Sequence, residues 1–453
     1  FMITPTPTVQ FSAYGANDRY AGRTGPGTLR LSDNSFVPES FTTNTISDVA
    51  LSGFASWAPA ALSVRDTWIV FSEPDFNLTA GGDTVVTGAW GKLAFSNGTP
   101  AINIGGNLVV TNNARLFVYS GATNGVAPDY GALVSVTGDV LIASNTWVYP
   151  YSEPVNGGSP LFRMRNLVVL GGTNGGIDAT GVGFAAPPPY SWSRGPGGGT
   201  NSGAYGSGGG HGGSGGGSSA NNNGGFAYGS ASAPTGPGSS GGSGQGVAGN
   251  GGGLVRVVAA SNVTVNGSIL ANGANSGLFG GGGSGGGIYI VCNTFGGSSD
   301  GRVQANGGKG GYWANATTYD GGGGGGRIAV CYDPVAQSNA PKPAVEFSAN
   351  GATNYGHGVQ GTLYFPDAGF FPYLALGGGY TVVIPGFTNW APSSLAITSG
   401  WIRLPDSFLL SVTNDVTVSG ADTRLILSNG TIGCGGNLIA TNGGQLHVYS
   451  APT

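Results

Sequence analysis

Charge is what this sequence has least of: only 8% of its 453 residues are Asp, Glu, Lys or Arg, and the formal net charge is −4. A soluble chain ordinarily carries about three times that share. Helices clothe their solvent faces with Glu, Lys, Arg, Ala and Leu, so the shortage argues against a helical protein. A weakly acidic chain without a basic patch offers no electrostatic attraction to nucleic acid or to an anionic membrane surface. Cysteine is nearly missing as well; three residues make neither a disulfide framework nor a metal-binding set. No apolar run approaches the roughly 18 residues that a membrane span requires. Phe1-Met2-Ile3-Thr4-Pro5 lacks the basic start and apolar stretch of a signal peptide. The histidines, His211, His357 and His447, share no metal-ligand spacing. No cofactor is expected.

Glycine fills part of the gap, with 91 residues, close to three times usual usage. Thr, Val, Ser and Asn supply much of the rest, which suits short strands joined by turns.

The sequence repeats itself. Val9-Gln10-Phe11-Ser12-Ala13 returns as Val345-Glu346-Phe347-Ser348-Ala349. Trp57-Ala58-Pro59 returns as Trp390-Ala391-Pro392, and Trp68-Ile69 as Trp401-Ile402. Leu116, Val118, Tyr119 and Ser120 match Leu446, Val448, Tyr449 and Ser450. The offset stays between 330 and 336 residues and the order is kept. Residues 1–344 therefore read as one long repeat, and residues 345–453 as the start of the next copy, equivalent to about 9–123.

A shorter pattern runs inside the long one. Asp or Asn leads a short apolar strand in Asp83-Thr84-Val85-Val86, Asn107-Leu108-Val109-Val110, Asp139-Val140-Leu141-Ile142, Asn166-Leu167-Val168-Val169 and Asp415-Val416-Thr417-Val418. A second apolar strand follows each, such as Leu93-Ala94-Phe95 or Leu116-Phe117-Val118. Paired short strands without hairpin signals or helices mark a parallel β-helix. The predicted fold is all-β: a right-handed, single-stranded parallel β-helix, right-handed because parallel crossovers almost always are. Asn272-Gly273, Asn306-Gly307 and Asn350-Gly351 read as stacked corners that need a left-handed residue.

Glycine-rich segments interrupt this pattern, above all the insertion at residues 195–253. Smaller blocks precede Ile288-Tyr289-Ile290-Val291 and Arg327-Ile328-Ala329-Val330. A flexible linker and a packed array of extended glycine helices both fit the composition. Position between strands of the repeat, and scattered Tyr205, His211, Phe226 and Tyr228, favour packing.

Chemistry is hard to find. Carbohydrate-active enzymes on such a fold need clustered carboxylates with Arg or Lys, and the nearest set, Glu153, Arg163 and Arg165, lacks paired carboxylates. The chain reads as a protein without enzymatic activity. Cys292 and Cys331 end matching strands about one coil apart, either as a disulfide or as two small core residues. Tyr190, Trp192, Tyr312, Trp313 and Tyr319 lie in loops outside the duplicated part and are candidate adhesive aromatics, or loop anchors.

These strand heads, and glycine blocks ahead of Ile-x-Ile or Arg-Ile-x-Val strands, resemble glycine-rich parallel β-helix surface and fibre proteins of bacteria, the autotransporter-like adhesins among them. The resemblance implies an extracellular or cell-surface structural filament that associates with itself end to end. The other function it implies is adhesion to a glycan or a host surface.

Overall fold

In the computed structural model the described residues are 10–450, except 14–16, 19–21, 24, 97, 124, 126–128, 221–222, 312–317, 354–355, 371–374, 377–381, 385, 399 and 422. The fold is a single-stranded parallel β-helix. The chain forms two compact units, Phe1–Glu153 with Gly158–Asp178 and Val257–Ser268, and Pro154–Gly157 with Ala179–Arg256 and Ile269–Thr453.

In the first unit each coil contributes three strands, one to each of three parallel faces. One face stacks Val49–Ser52, Trp68–Phe71, Lys92–Phe95, Arg115–Tyr119, Trp147–Tyr151 and Gly176–Asp178 in register. A second stacks Ser56–Trp57, Asn77–Ala80, Ala101–Ile104, Ala132–Val136 and Pro160–Met164. The third stacks Leu62–Arg65, Thr84–Thr87, Leu108–Thr111, Val140–Ile142, Leu167–Val169 and Asn262–Val265. The sequence pattern accounts for two strands per period; the third is the face of Asn77–Ala80 and its neighbours. Its Asn and Ala residues, as in Asn77-Leu78-Thr79-Ala80, weaken the apolar signal that alternation would otherwise give.

Alternate residues turn inward. Ile69, Leu93, Leu116 and Val148 form one apolar column, and Leu78, Ile102 and Val134 another, all buried. Phe71 stacks on Phe76 at 4.6 Å and on Phe95 at 5.4 Å between ring centroids.

The leading Asp and Asn residues form a ladder along one corner. Asp83 Oδ1 accepts the Asn107 backbone N–H at 2.7 Å, and Asn107 Oδ1 accepts that of Asp139 at 2.9 Å. Asp139 Oδ1 accepts from Asn166 Nδ2 at 2.8 Å, and Asn166 Oδ1 accepts the Asn262 N–H at 2.9 Å. Each residue thus satisfies a backbone donor or amide on the next coil. The residue before Asn107 must be small: a Cβ on Gly106 would lie 2.2 Å from Asp83 Oδ1.

Left-handed backbone falls at another corner, at Asp48, Asp66, Asn112, Asn113 and Asn145, with φ of 50°, 52°, 56°, 66° and 59°. The Asn-Gly corners do stack in the second unit, with Asn272 Oδ1 accepting the Asn306 N–H and Asn306 Oδ1 that of Asn350, both at 2.8 Å. Their glycines are not left-handed, however. They are forced by close approach, since a Cβ on Gly307 would meet the Gly323 carbonyl at 2.1 Å.

The second unit has its own coils, including the ladder of strands Gly287–Val291, Arg327–Cys331 and Thr362–Tyr364. Its last three coils repeat an arrangement found in the first unit. There Ser56–Trp57, Asn77–Ala80 and Ala101–Ile104 stack in that order, as do Asn389–Trp390, Leu409–Val412 and Thr431–Cys434 here. The other two faces match likewise, with Leu395–Ile397, Val416–Ser419 and Leu438–Thr441 on one and Gly400–Arg403, Thr423–Ser428 and Gln445–Tyr449 on the other. The ladder bond recurs as well: Asp415 Oδ1 accepts the Asn437 N–H at 2.7 Å and its Nδ2 at 3.2 Å. Among the described residues, regular helix is limited to the turn Gly172–Asn174 and the short α-helix Pro334–Ser338.

Candidate functional site

The glycine segments of the second unit are packed. Successive backbone N–H groups of one segment point to three neighbours in rotation. Gly281, Gly282 and Gly283 donate to the carbonyls of Gly242, Gly321 and Ala274; Ser284, Gly285 and Gly286 then donate to Ser239, Gly324 and Ala271. Gly321, Gly322 and Gly323 bond Gly206, Gly356 and Gly308, and the next three bond Gly209, Val359 and Ala305. Every third residue returns to the same neighbour. That is the symmetry of an extended helix with three residues per turn, here packed so that chain bonds chain on all sides. A Cβ on Gly283 would lie 1.8 Å from the Asn250 carbonyl, and one on Gly323 2.0 Å from that of Gly283. Side chains are excluded because the backbones touch.

A few large residues pin this bundle. His211 is buried, with Nδ1 3.1 Å from the Gly285 carbonyl and its ring 4.8 Å from that of Tyr228. Burial, and then the charge of Arg327, holds its imidazole down to about 4. Arg327 is itself buried; Nε donates to the Tyr228 carbonyl at 2.7 Å and a terminal nitrogen to Thr362 Oγ1 at 3.3 Å. Ser239 Oγ donates to the Tyr228 hydroxyl at 3.0 Å, and that hydroxyl donates to the Pro237 carbonyl. Asp320 is buried too, and its Oδ1 accepts the Gly206 N–H at 2.9 Å. Burial pushes its carboxyl up to about 6. From sequence, His211 and Tyr228 stand out only as scattered large residues of the tract, without Arg327, Ser239 or Asp320 beside them. The signal for the cluster was His211 and Tyr228 among the few large residues of a glycine tract that could otherwise do without them.

The candidate aromatics part company. Trp192 is 93% exposed and Tyr190 64%. Their loop is tied down: the Tyr190 N–H bonds the Ser243 and Gly244 carbonyls at 3.1 Å, and Asn201 Nδ2 donates to the Ser191 carbonyl at 3.1 Å. Tyr319 is half-buried, its backbone bonded to that of Ser219 at 3.0 Å and to the Ser219 hydroxyl at 3.2 Å. Tyr312 and Trp313 lie outside the described residues.

Cys292 and Cys331 are on adjacent strands but one residue out of register. Cys331 pairs with Val291, and the Cys292 N–H donates to the Cys331 carbonyl at 3.0 Å. The register follows the inward columns, Ile288 on Ile328 and Ile290 on Val330. A one-residue offset sends side chains to opposite faces, so the stacked pair expected from sequence does not form. Both thiols are free; Cys292 is buried, which pushes it up to about 12, whereas Cys331 is half-exposed. Of Glu153, Arg163 and Arg165, the last is engaged with Asp139 through two bonds of 2.8 and 2.9 Å. Hydrogen bonds from Arg165 and then Asn166 hold Asp139 down to about 2.

A further surface lies on the first unit, on the outward side of its Trp68–Phe71 face. Trp68, Lys92, Arg115 and Trp147 form one column across adjacent coils. The Lys92 amine sits 4.2 Å from the Trp68 ring centroid. Phe117 stacks on Tyr149 at 5.0 Å and Tyr119 on Tyr151 at 4.4 Å. Outward positions of a strand read from sequence only as polar or tolerated, so this array becomes visible once register is known. Comparisons with family models, with curated proteins and with solved structures gave no match to this chain.

Proposed function

We propose that this chain is a structural section of an extracellular fibre or cell-surface filament, assembled from tandem copies of one solenoid unit and working by shape and contact rather than by catalysis. The block of nine strands that occurs twice with the same pairing order carries the reading. A block whose coils accept one another in a fixed register adds to itself end to end, and stability then accumulates from neighbour to neighbour. The glycine bundle adds a flank held by backbone bonds in several directions, which suits a stiff element. Chains carrying one, two and three copies of residues 9–344 test this in electron micrographs. The expected result is a rod that lengthens by the same increment per copy, at about 4.8 Å per coil. Beads of constant size on flexible tethers would end the fibre reading.

Adhesion to a glycan or a host surface is the second reading, and the exposed Trp192 on its anchored loop favours it. An indole held in water by a tied loop is available for contact at little ordering cost. On this second reading taken alone, Trp192→Ala should lower retention on a host-glycan array while leaving the rods unchanged.

A further inference from the structure

Outward side chains of the strands Arg115–Tyr119 and Trp147–Tyr151 make a two-by-three array: Arg115, Phe117 and Tyr119 over Trp147, Tyr149 and Tyr151. Strand and coil spacings make it about 13 Å long and about 5 Å wide, with Lys92 one coil further on. The rings stand in stacks, so they are ordered before any partner arrives. Trp147 has Gly176 as its neighbour on the next coil, and a Cβ there would meet the Ser268 carbonyl at 1.8 Å. Gly176 thus leaves the indole without a side-chain neighbour in register, whereas the Asp178 carboxylate on the same strand acts on the hydroxyls of Tyr149 and Tyr151, so the positive end of the array is its Lys92 and Arg115 side. Arg115 is exposed, its charge reaches the Tyr149 hydroxyl, and among the described residues no carboxylate forms an ion pair with it.

The repeated block supplies an internal control. The strand equivalent to Arg115–Tyr119 is Gln445–Tyr449, in which inward Leu446 and Val448 match Leu116 and Val118. The outward residues differ: Gln445 and His447 replace Arg115 and Phe117. There His447 is hydrogen-bonded to Gln445 Oε1 at 3.0 Å and to the Tyr449 hydroxyl at 2.9 Å. The same coil thus forms without the guanidinium and without the phenyl ring.

We infer that this array is a binding platform for an extended anionic polysaccharide. Flat rings with polar edges suit the faces and hydroxyls of sugars, and a guanidinium suits a carboxylate or sulfate borne on them. A nucleic acid would require a line of phosphate contacts, which Arg115 and Lys92 alone do not make. The inference is independent of the fibre reading and uses a surface other than the Trp192 loop.

The test titrates the intact chain with a linear uronic-acid oligomer and with a neutral glucan oligomer, followed by tryptophan fluorescence and calorimetry. The uronic oligomer should bind more tightly, and its affinity should weaken with salt. Arg115→Gln, which installs the residue found at this position in the second copy, should cut that affinity by about tenfold and erase the preference over the neutral oligomer. Tyr149→Ala should weaken both oligomers, Trp192→Ala neither, with circular dichroism and melting temperature of Arg115→Gln unchanged. Three results would overturn the inference: no binding of either oligomer, equal losses in Trp192→Ala, or sedimentation showing self-association that Tyr149→Ala abolishes. The last would mean that a second copy of the chain occupies the face.

Discussion

The coils of the first unit and the glycine bundle of the second solve the same problem with opposite materials. In the coils, backbone bonds run between successive strands and the core is made of side chains: Ile69, Leu93, Leu116 and Val148 on one face, Leu108, Val140 and Leu167 on another. In the bundle, backbone bonds radiate to three neighbours and the interior is the backbone itself. Removing side-chain atoms should therefore damage the first, and adding them should damage the second. Hydrophobic burial holds the coils; in the bundle, hydrogen bonding of buried N–H and C=O groups does that work.

A reciprocal pair of substitutions gives the largest effects. Phe71→Ala deletes a fully buried ring that stacks on two others, which should destabilise by about 3–5 kcal/mol. Gly283→Ala adds one methyl group where a carbonyl lies 1.8 Å away, and overpacking of that kind costs about 1–3 kcal/mol or more. Site-resolved hydrogen exchange should place the first loss among the coil amides and the second among the glycine amides. Equal loss in both regions for either variant would break the contrast. Gly277→Ala, with nothing within 4 Å of the added Cβ, should leave the bundle intact.

Acidification should separate the two regions less strongly. His211 is depressed from 6.5 to about 4, so its contribution is complete above pH 6.5 and fades as pH falls towards 4. Asp320 is raised from 3.8 to about 6, so its contribution is complete below pH 3.8 and fades as pH rises through 6. The two oppose each other, which makes the bundle's stability shallow in pH. Asp320→Asn should expose the His211 slope, with lower bundle stability at pH 4.5 than at pH 7. His211→Gln should give the reverse slope. Denaturant midpoints of the two variants at both pH values check the signs, and parallel profiles would reject the assignment.

The sequence made the coils legible because their inward positions must be apolar and their corner residues must be Asp, Asn or Gly. Asp83, Asn107, Asp139 and Asn166 could be read directly for that reason. The third strand of each coil could not, because Asn77-Leu78-Thr79-Ala80 offers only Leu78 as a strong apolar signal. Composition alone left the glycine tract open between linker and bundle; long-range bonds such as Gly209 to Gly282 decide it, and no local pattern encodes them. The pairing of Cys331 with Val291 was likewise hidden, since matched strand endings suggested a register that the inward Ile288 and Ile328 columns override. Outward arrays such as Phe117 with Tyr149 depend on register in the same way.

The smallest expected effect concerns the corner ladder that carries alternating Asp and Asn, whereas the ladder beside the bundle is made of Asn272, Asn306 and Asn350. The order of the mixed ladder along the first unit is Asp83, Asn107, Asp139, Asn166, Asn262, and in the second block Asp415 is followed by Asn437. No two carboxylates are adjacent. The geometry explains this: each Oδ1 needs a donor from the next coil, and coils lie about 4.8 Å apart. The backbone N–H supplies that donor for Asp and Asn alike, as from Asp139 to Asn107 Oδ1, so what two neighbouring carboxylates would add is like-charge repulsion. Asn107→Ala removes the acceptor of the Asp139 N–H and should cost about 1 kcal/mol. Asn107→Asp keeps an acceptor but places a third charge between Asp83 and Asp139, adding repulsion on the order of 1 kcal/mol from each side. At pH 7 Asn107→Asp should therefore be the less stable of the two variants, although it is the closer match in shape. Below the ordinary carboxylate range near pH 3.8, protonation of the new side chain should restore a donor and bring Asn107→Asp above Asn107→Ala. Urea denaturation of both variants at pH 7 and pH 3 reads the crossover; an unchanged order at the two pH values would show that charge does not set the alternation.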